Sequence, residues 1–190
     1  MRRSALAGSI GALAASLASV PAAALTVVIG NASPEIALRV GATGGTISLV
    51  TFTVTGATAA TGVPIAGTTN AAAGSAQAPN FATACAANNV LVWARARSTL
   101  PAPRTATLSV NASGGLASGA NTIPFTDFDW ITSGGAEIPS GGFSGAATQN
   151  LLSFNTSREI SVCLGFRFLN TAVYPAGTYN GQLLYTLQMP

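Results

Sequence analysis

In Gly177-Thr-Tyr-Asn-Gly-Gln-Leu-Leu-Tyr-Thr-Leu-Gln-Met-Pro190, apolar and polar side chains alternate, and this segment gives the clearest indication of the fold. The apolar side chains share one parity, and they are Tyr179, Leu183, Tyr185, Leu187 and Met189. Leu184 is the exception among the polar side chains of the other parity. Successive side chains of an extended chain point to opposite faces, so this period of two predicts a half-buried β-strand. Because the sequence ends inside that strand, we expect a subunit that another molecule completes.

Two earlier stretches alternate in the same way. Arg104–Asn111 directs Ala106, Leu108 and Val110 to one face, and Arg158–Leu169 does the same with Ile160, Val162, Leu164, Phe166 and Phe168. Together with runs such as Thr46–Thr55, Val90–Arg97 and the aromatic, extended run Thr122–Ile131, they predict about eight or nine strands separated by Gly, Pro, Asn and Ser turns. No amphipathic helix is expected after the first 24 residues. The pattern predicts an all-β, immunoglobulin-like Greek-key β-sandwich, with a closed barrel as the structural alternative.

The first 24 residues have the three parts of a secretory signal peptide. Arg2 and Arg3 form a basic start, Ser4–Val20 is rich in Ala, Leu and Gly, and Pro21–Ala24 supplies the small residues that signal peptidase requires. We therefore predict cleavage after Ala24, a single domain over residues 25–190 and a secreted protein that passes through the periplasm to the cell surface. A membrane anchor is the alternative interpretation of the same segment.

Composition removes several classes of chemistry. The sequence has no His and no Lys, so it cannot build a His-based triad, a histidine metal site, a Schiff base or a Walker lysine. Its formal charge of +3 includes both leader arginines. Without them, six arginines stand against five acids, which leaves no basic patch for nucleic acid. We expect no cofactor, no metal site and no enzymatic activity.

The two cysteines, Cys85 and Cys163, are 78 residues apart in sequence. A lone pair in an oxidising compartment predicts a disulfide bond. A reactive thiol or a metal ligand is the alternative, although a metal site of this kind needs further Cys or His side chains.

A few other residues could carry function. Asp127 and Asp129, with Glu137 nearby in sequence, could form a carboxylate pair for glycoside hydrolysis or a calcium site, or they could be the polar face of a strand. Trp93 and Trp130 could stack on sugars or could be buried core aromatics. Arg95 and Arg97 share a strand face with Leu91 and Trp93, and we predict that this face meets solvent or a partner.

The segment Pro175-Ala-Gly-Thr-Tyr-Asn-Gly-Gln-Leu-Leu-Tyr-Thr-Leu187 resembles the closing strand of chaperone–usher fimbrial subunits. It is most similar to the archaic, spore-coat-U-like pilins, in which Gly-Thr-Tyr leads into an alternating final strand, and the resemblance is strongest from Leu151 onward. It implies a sandwich that lacks its final strand, which a periplasmic chaperone and later a neighbouring subunit supply by β-strand addition. An outer-membrane usher is a further implied partner, with no nucleic acid and no transmembrane segment after signal cleavage.

The resemblance also implies roles for particular residues. The acceptor groove would be lined by Tyr179, Leu183, Tyr185 and Leu187. The donor segment would carry Leu25, Val27 and Ile29, with Ile36, Leu38 and Val40 as a second candidate. We therefore expect a structural subunit of a polymerising surface fibre or fimbrium. The alternatives are a self-complete surface module that binds glycan or protein, in which Leu25–Val40 are ordinary strands, and a secreted hydrolase that uses the three acids.

Overall fold

The computed structural model describes residues 35–41, 49–70, 84–98, 102, 104–134 and 137–190. Over these residues the protein is all-β with antiparallel sheets, and its helical content is a single 3₁₀ turn at Phe125–Asp127. The all-β prediction is therefore confirmed. Within the same residues, no helix has the length and apolar character needed to cross a membrane. The predicted signal peptide and the first donor candidate, Leu25, Val27 and Ile29, lie outside the described residues.

Thirteen strands follow one another along the described chain. In chain order they are β1 (Glu35–Val40), β2 (Val50–Thr51), β3 (Ile65–Ala66), β4 (Thr68–Thr69), β5 (Val90–Arg97), β6 (Thr105–Asn111), β7 (Gly115–Ser118), β8 (Asn121–Pro124), β9 (Phe128–Ser133), β10 (Gly141–Gly142), β11 (Gln149–Asn155), β12 (Arg158–Phe168) and β13 (Leu184–Gln188).

Two sheets carry most of these strands. The larger sheet has the order β1-β5-β12-β9-β10, and β3 pairs with the C-terminal end of β12. The smaller sheet has the order β11-β6-β13. Two short ribbons, β2–β4 and β7–β8, lie outside both sheets. Strands β1 and β13 therefore each occupy an end of their sheet.

One hydrophobic core receives side chains from both sheets. Strand β6 contributes Ala106, Leu108 and Val110, which confirms the predicted inward parity. The larger sheet contributes alternate side chains of its two central strands, namely Val90, Val92, Ala94, Ala96, Ile160, Val162, Leu164, Phe166 and Phe168. Trp130 is also buried here, and its indole Nε1 donates to the carbonyl oxygen of Pro139 at 2.9 Å.

A second, smaller cluster covers the opposite face of the larger sheet. The predicted disulfide between Cys85 and Cys163 is present, with the two Cα atoms 5.5 Å apart. Both sulfur-bearing side chains pack with Leu91 and Trp93, and all four residues are buried. The prediction that this face meets solvent or a partner is therefore wrong for Leu91 and Trp93, because the disulfide holds the segment before β5 against these two residues. Arg97, further along the same face, is exposed.

Two predicted strands are shorter or more broken than the sequence suggested. Within the described part of Thr46–Thr55, only Val50–Thr51 is a strand, because its partner β4 is equally short and the chain turns at Thr55, whose carbonyl accepts from the N–H of Ala59. The aromatic run from Thr122 to Ile131 is interrupted by the 3₁₀ turn, which separates β8 from β9.

Candidate functional site

The last strand, β13, has an unpaired side. It pairs antiparallel with β6, from Leu184 opposite Asn111 to Gln188 opposite Thr107. No other strand of the described chain pairs with it, so it ends the three-stranded sheet. The backbone N–H and C=O groups on that side belong to no ladder within the described residues. Such an edge is a template on which an added strand can form hydrogen bonds.

The side chains of β13 and of the two residues that flank it, Leu183 and Met189, alternate as the sequence predicted. Leu187 is buried in the core, while Leu183, Tyr185 and Met189 pack against the core and are only partly buried. Leu184, the exception to the pattern, is 64% exposed on the opposite face. Apolar surface beside the free edge is therefore only partly covered, and further burial would be favourable at roughly 25 cal/mol per Å².

The free edge of β13 lies next to the first described strand. Strand β1 ends the larger sheet, and Cα atoms of β1 and β13 approach within 8 Å, although no ladder joins the two strands. Leu38 and Val40 of β1 also pack against the core and are partly buried. We call this place the β1–β13 seam, and its apolar side chains are Leu38, Val40, Leu183, Tyr185 and Leu187.

Tyr179 lies outside strand β13. The strand begins at Leu184, whereas the alternation predicted it from Gly177. The preceding segment instead crosses the β7–β8 ribbon, because Asn180 forms a β-bridge with Ala117. Gly181 permits this crossing, since a Cβ atom there would lie 2.6 Å from the Gly115 carbonyl oxygen. The Tyr179 hydroxyl donates to the carbonyl oxygen of Pro175 at 2.8 Å.

The second donor candidate is already part of a sheet. Ile36, Leu38 and Val40 belong to β1, which pairs with β5 from Glu35 opposite Arg97 to Val40 opposite Val92. In this structure these residues therefore serve as an edge strand of their own subunit. A donor strand would have to come from elsewhere in the sequence.

The structure separates the acids that the sequence placed together. Asp127 lies in the 3₁₀ turn and Asp129 in β9, so the prediction that they share one strand face is wrong. Arg167 holds Asp129 in a two-pronged ion pair, in which its Nε donates to Oδ1 at 2.9 Å, and this carboxylate raises the pKa of Arg167. The hydroxyl of Tyr174 donates to Asp127.

Glu137 lies apart from both aspartates and faces Arg158, with 3.9 Å between Oε1 and Nη2. Each of the three acids proposed for hydrolysis thus faces a different side chain. Among the described residues, no group of three or more His, Cys, Asp or Glu side chains is arranged to hold a metal ion.

We predict that the protein loses stability in alkaline solution. Burial and the bond to Asp127 raise the pKa of Tyr174 from 10.0 to about 12, and burial also raises the pKa of Tyr185. The folded state therefore retains protons that the unfolded state releases, so its stability is intact below pH 10 and falls as the pH rises toward 12. The chain has no lysine, so no ammonium side chain titrates in this range.

Urea unfolding across that range measures the effect. Tyr174→Phe should show a shallower loss of stability than wild type, because one of the two phenols with a raised pKa is gone. Tyr179→Phe keeps both of these phenols and is the matched control. It should stay closer to wild type than Tyr174→Phe does, because Tyr179 makes only the smallest contribution to the raised pKa of Tyr174. Equal slopes for wild type and Tyr174→Phe would contradict this account.

No protein-family model matches the chain, and neither the curated proteins nor the solved structures contain a significant match. The candidate site therefore rests on the geometry of the chain itself. Sequence reasoning identified Leu183, Tyr185 and Leu187, and it missed the contribution of β1. The parity of Leu38 and Val40 could have indicated that they face inward, but the approach of β1 to β13 has no signal in the sequence.

Proposed function

We propose that this chain is a secreted, non-enzymatic structural subunit of a bacterial surface fibre or fimbria-like assembly, joined by β-strand complementation. The observation that carries the proposal is the β1–β13 seam, where the ends of two sheets lie side by side over apolar side chains that are only partly buried. A strand added there would pair with the free edge of β13 and cover Leu183 and Tyr185. It would also have to move β1 away from β13, because a strand between two others needs about 9.5 Å and these two approach within 8 Å.

The finer fold that we propose is an immunoglobulin-like Greek-key sandwich. Its support is that consecutive strands repeatedly change sheets: β5 and β6 lie in different sheets, as do β11 and β12, and β12 and β13. Both sheets also contribute to a single core. Connections that cross between two packed sheets are characteristic of such sandwiches. In the pilin-like version of this fold, the missing strand belongs beside the last strand of the chain.

The donor in this proposal is the segment that begins at Leu25. Leu25, Val27 and Ile29 alternate with Thr26 and Val28, so an extended chain would direct one set toward the seam and the other away from it. Cleavage after Ala24 would place this segment at the start of the mature chain, where it could reach a neighbouring copy. A periplasmic chaperone and an outer-membrane usher would hold and pass on the incomplete subunit.

A self-complete surface module that binds glycan or protein is the second candidate. The observation that favours it is that β1 pairs with β5 over six residues, so the larger sheet already has an edge strand from its own chain. In that case the seam would remain unfilled, and the secreted protein would be a monomer.

Substitutions on the two faces of the donor segment distinguish these two candidate functions. We expect wild-type secreted protein to elute from non-reducing size-exclusion chromatography as a series of oligomers. Replacing Leu25, Val27 and Ile29 together with Asp should abolish that series, because a buried carboxylate in the seam has no partner. Replacing Thr26 and Val28 with Asp is the matched control and should leave most of the assembly intact.

Two substitutions near the free edge of β13 form a second matched pair of variants. Leu183→Asp should prevent assembly, because Leu183 packs against the core beside the free edge, whereas Leu184→Asp changes a side chain that is 64% exposed on the other face. Urea unfolding of both variants checks that each still folds. A wild-type monomer, or equal assembly by both members of either pair, would contradict the proposal.

A further inference from the structure

The two sheets share two ends, and each end presents a different surface. At one end the turn between β11 and β12 meets β5, because the N–H of Ser157 donates to the carbonyl oxygen of Ala96 at 2.7 Å. The N–H of Thr156 in the same turn donates to Arg104, just before β6. Strand β1 also begins here, since Glu35 lies opposite the last residue of β5. At the other end β6 and β12 finish and β13 begins. We call the first the hairpin end and the second the valine end.

Two loops without charged residues lie at the valine end. They are residues 169–174, which follow β12, and residues 52–64. Each loop exposes a valine, because Val63 is 64% exposed and Val173 is 76% exposed. The loops are joined, since Nδ2 of Asn170 donates to the carbonyl oxygen of Val63 at 3.2 Å and the N–H of Gly62 donates to that of Asn170 at 3.0 Å. The two valines are therefore held near each other on one uncharged surface.

The joined loops have a fixed and strained shape. The Asn170 side chain is buried, and its Oδ1 accepts from the N–H of Ala60 at 2.9 Å. Ala60 has a φ of 54°, in the left-handed region that costs a residue with a Cβ atom roughly 1–2 kcal/mol. Strain of this kind persists where the surrounding structure enforces it, and it clusters at functional sites. A surface that is already ordered in this way loses little entropy when a partner binds.

The position of the proposed donor segment indicates which partner reaches the valine end. Ile29 is six residues before Glu35, so the chain between them spans at most about 22 Å. Every ladder between described strands is antiparallel, and a donor that keeps this pattern leaves the β13 of its neighbour at Leu184, at the valine end. The subunit that supplies the donor begins its own fold at Glu35, at its hairpin end. The hairpin end of one copy is therefore brought to the valine end of the next.

The hairpin end has an exposed apolar side chain next to this tether. Ile36 directly follows Glu35 and is 43% exposed. It shares a strand face with Leu38 and Val40, which pack against the core, whereas Ile36 lies beyond the edge of that core. Covering such apolar surface is favourable at roughly 25 cal/mol per Å².

We propose that the valine end docks on the hairpin end of a second copy of the chain, with Val63 and Val173 packed against Ile36 of that copy. The contact joins two different surfaces, so each copy keeps one free end and the assembly can continue as a fibre. This inference rests on the proposed strand complementation for the placement of the two copies. It adds a second contact, between the folded bodies, to the one made by the donor strand.

Size-exclusion chromatography of the full secreted protein over a range of concentrations tests this inference. Replacing Val63 and Val173 together with Asp should raise the concentration needed for half-assembly by about tenfold or more, because each carboxylate would be buried without a partner. Ile36→Asp should have the same effect. Ile131→Asp is the matched control and should assemble like wild type, since Ile131 is 44% exposed but lies within the larger sheet rather than at either end.

A milder variant guards against loss of folding. Replacing Val63 and Val173 with Thr keeps the branched shape of both side chains, and it should shift assembly in the same direction by a smaller factor. Urea unfolding of each variant checks that it folds like wild type. Assembly of the Thr variant at the wild-type concentration would overturn the inference.

Mixing two defective variants tests whether the contact joins unlike ends. The double Asp variant of Val63 and Val173 keeps an intact hairpin end, and Ile36→Asp keeps an intact valine end. An equimolar mixture should therefore form dimers at concentrations where each variant alone is a monomer, and it should form no longer oligomers. A mixture that remains monomeric would overturn the inference.

Hydrogen exchange of β13 with a peptide of residues 25–33 distinguishes this contact from strand complementation, because the peptide has no folded body to dock. If the peptide protects β13 and the valine variants assemble like wild type, the docking contact is wrong and complementation stands. If the peptide does not protect β13 but the valine variants lose an assembly that wild type shows, the docking contact stands and complementation is wrong. A wild-type monomer would overturn both.

Discussion

Replacing both Cys85 and Cys163 with alanine should lower the free energy of unfolding by about 4 kcal/mol. The bridge joins residues 78 apart in sequence, so its loss restores a large loop entropy to the unfolded chain. It also anchors the segment before β5 to β12, the strand between β5 and β9, and thereby covers Leu91 and Trp93. Urea unfolding of the oxidised wild type and the double variant gives the difference.

Reduced wild type is the matched control for this prediction. It keeps both sulfur atoms in place but loses the covalent link, so it should resemble the double variant rather than the oxidised protein. If reduced and oxidised wild type unfold at the same urea concentration, then the disulfide is not a main source of stability.

Replacing Asn170 with alanine should cost about 3 kcal/mol of unfolding free energy. Its side chain is buried and holds the loop before β3: Oδ1 accepts from the N–H of Ala60, and Nδ2 donates to Thr58, Thr61 and Val63. The alanine variant would leave the carbonyl groups of Thr58 and Val63 without this donor and the N–H of Ala60 without this acceptor. Asn also tolerates the positive φ of 57° at this position better than alanine does.

Two further variants test the cause of that loss. Asn170→Asp keeps the shape of the side chain but replaces the amide donor with an acceptor that faces two carbonyl oxygens, so at neutral pH it should be about as unstable as Asn170→Ala. Thr61→Ala removes one exposed hydroxyl, which accepts from Asn170 and donates to the carbonyl of Thr58, and it should cost only about 1 kcal/mol. A stable Asn170→Asp variant would show that the hydrogen bonds of the amide are unimportant.

Local alternation was the part of the fold that the sequence predicted well. Arg104–Asn111 and Arg158–Leu169 were assigned the correct faces because parity along a strand depends only on the residues of that strand. The shortened strand around Val50 and the 3₁₀ turn at Phe125–Asp127 were not predictable in this way. Their limits depend on the length of the pairing partner and on turns formed with distant residues.

The same distinction between local pattern and spatial neighbours applies to the candidate sites. The inward parity of Leu183, Tyr185 and Leu187 and the pairing of the two cysteines follow from pattern and count. The approach of β1 to β13 and the joining of the loops that carry Val63 and Val173 depend on which segments become neighbours in space. Asn170 was missed for a related reason, because its four bonds go to residues more than a hundred positions earlier in the chain.

The central claim is that an added strand pairs with the free edge of β13, and amide hydrogen exchange measures this most directly. The sample is the full secreted chain with Leu25, Val27 and Ile29 replaced by Asp, so that its own copies cannot donate, mixed with a peptide of residues 25–33. We expect slower exchange of alternate amides in Leu184–Gln188 when the peptide is added, and no change with a peptide carrying the same three replacements. Unchanged exchange throughout β13 in the presence of the unmodified peptide would contradict this claim.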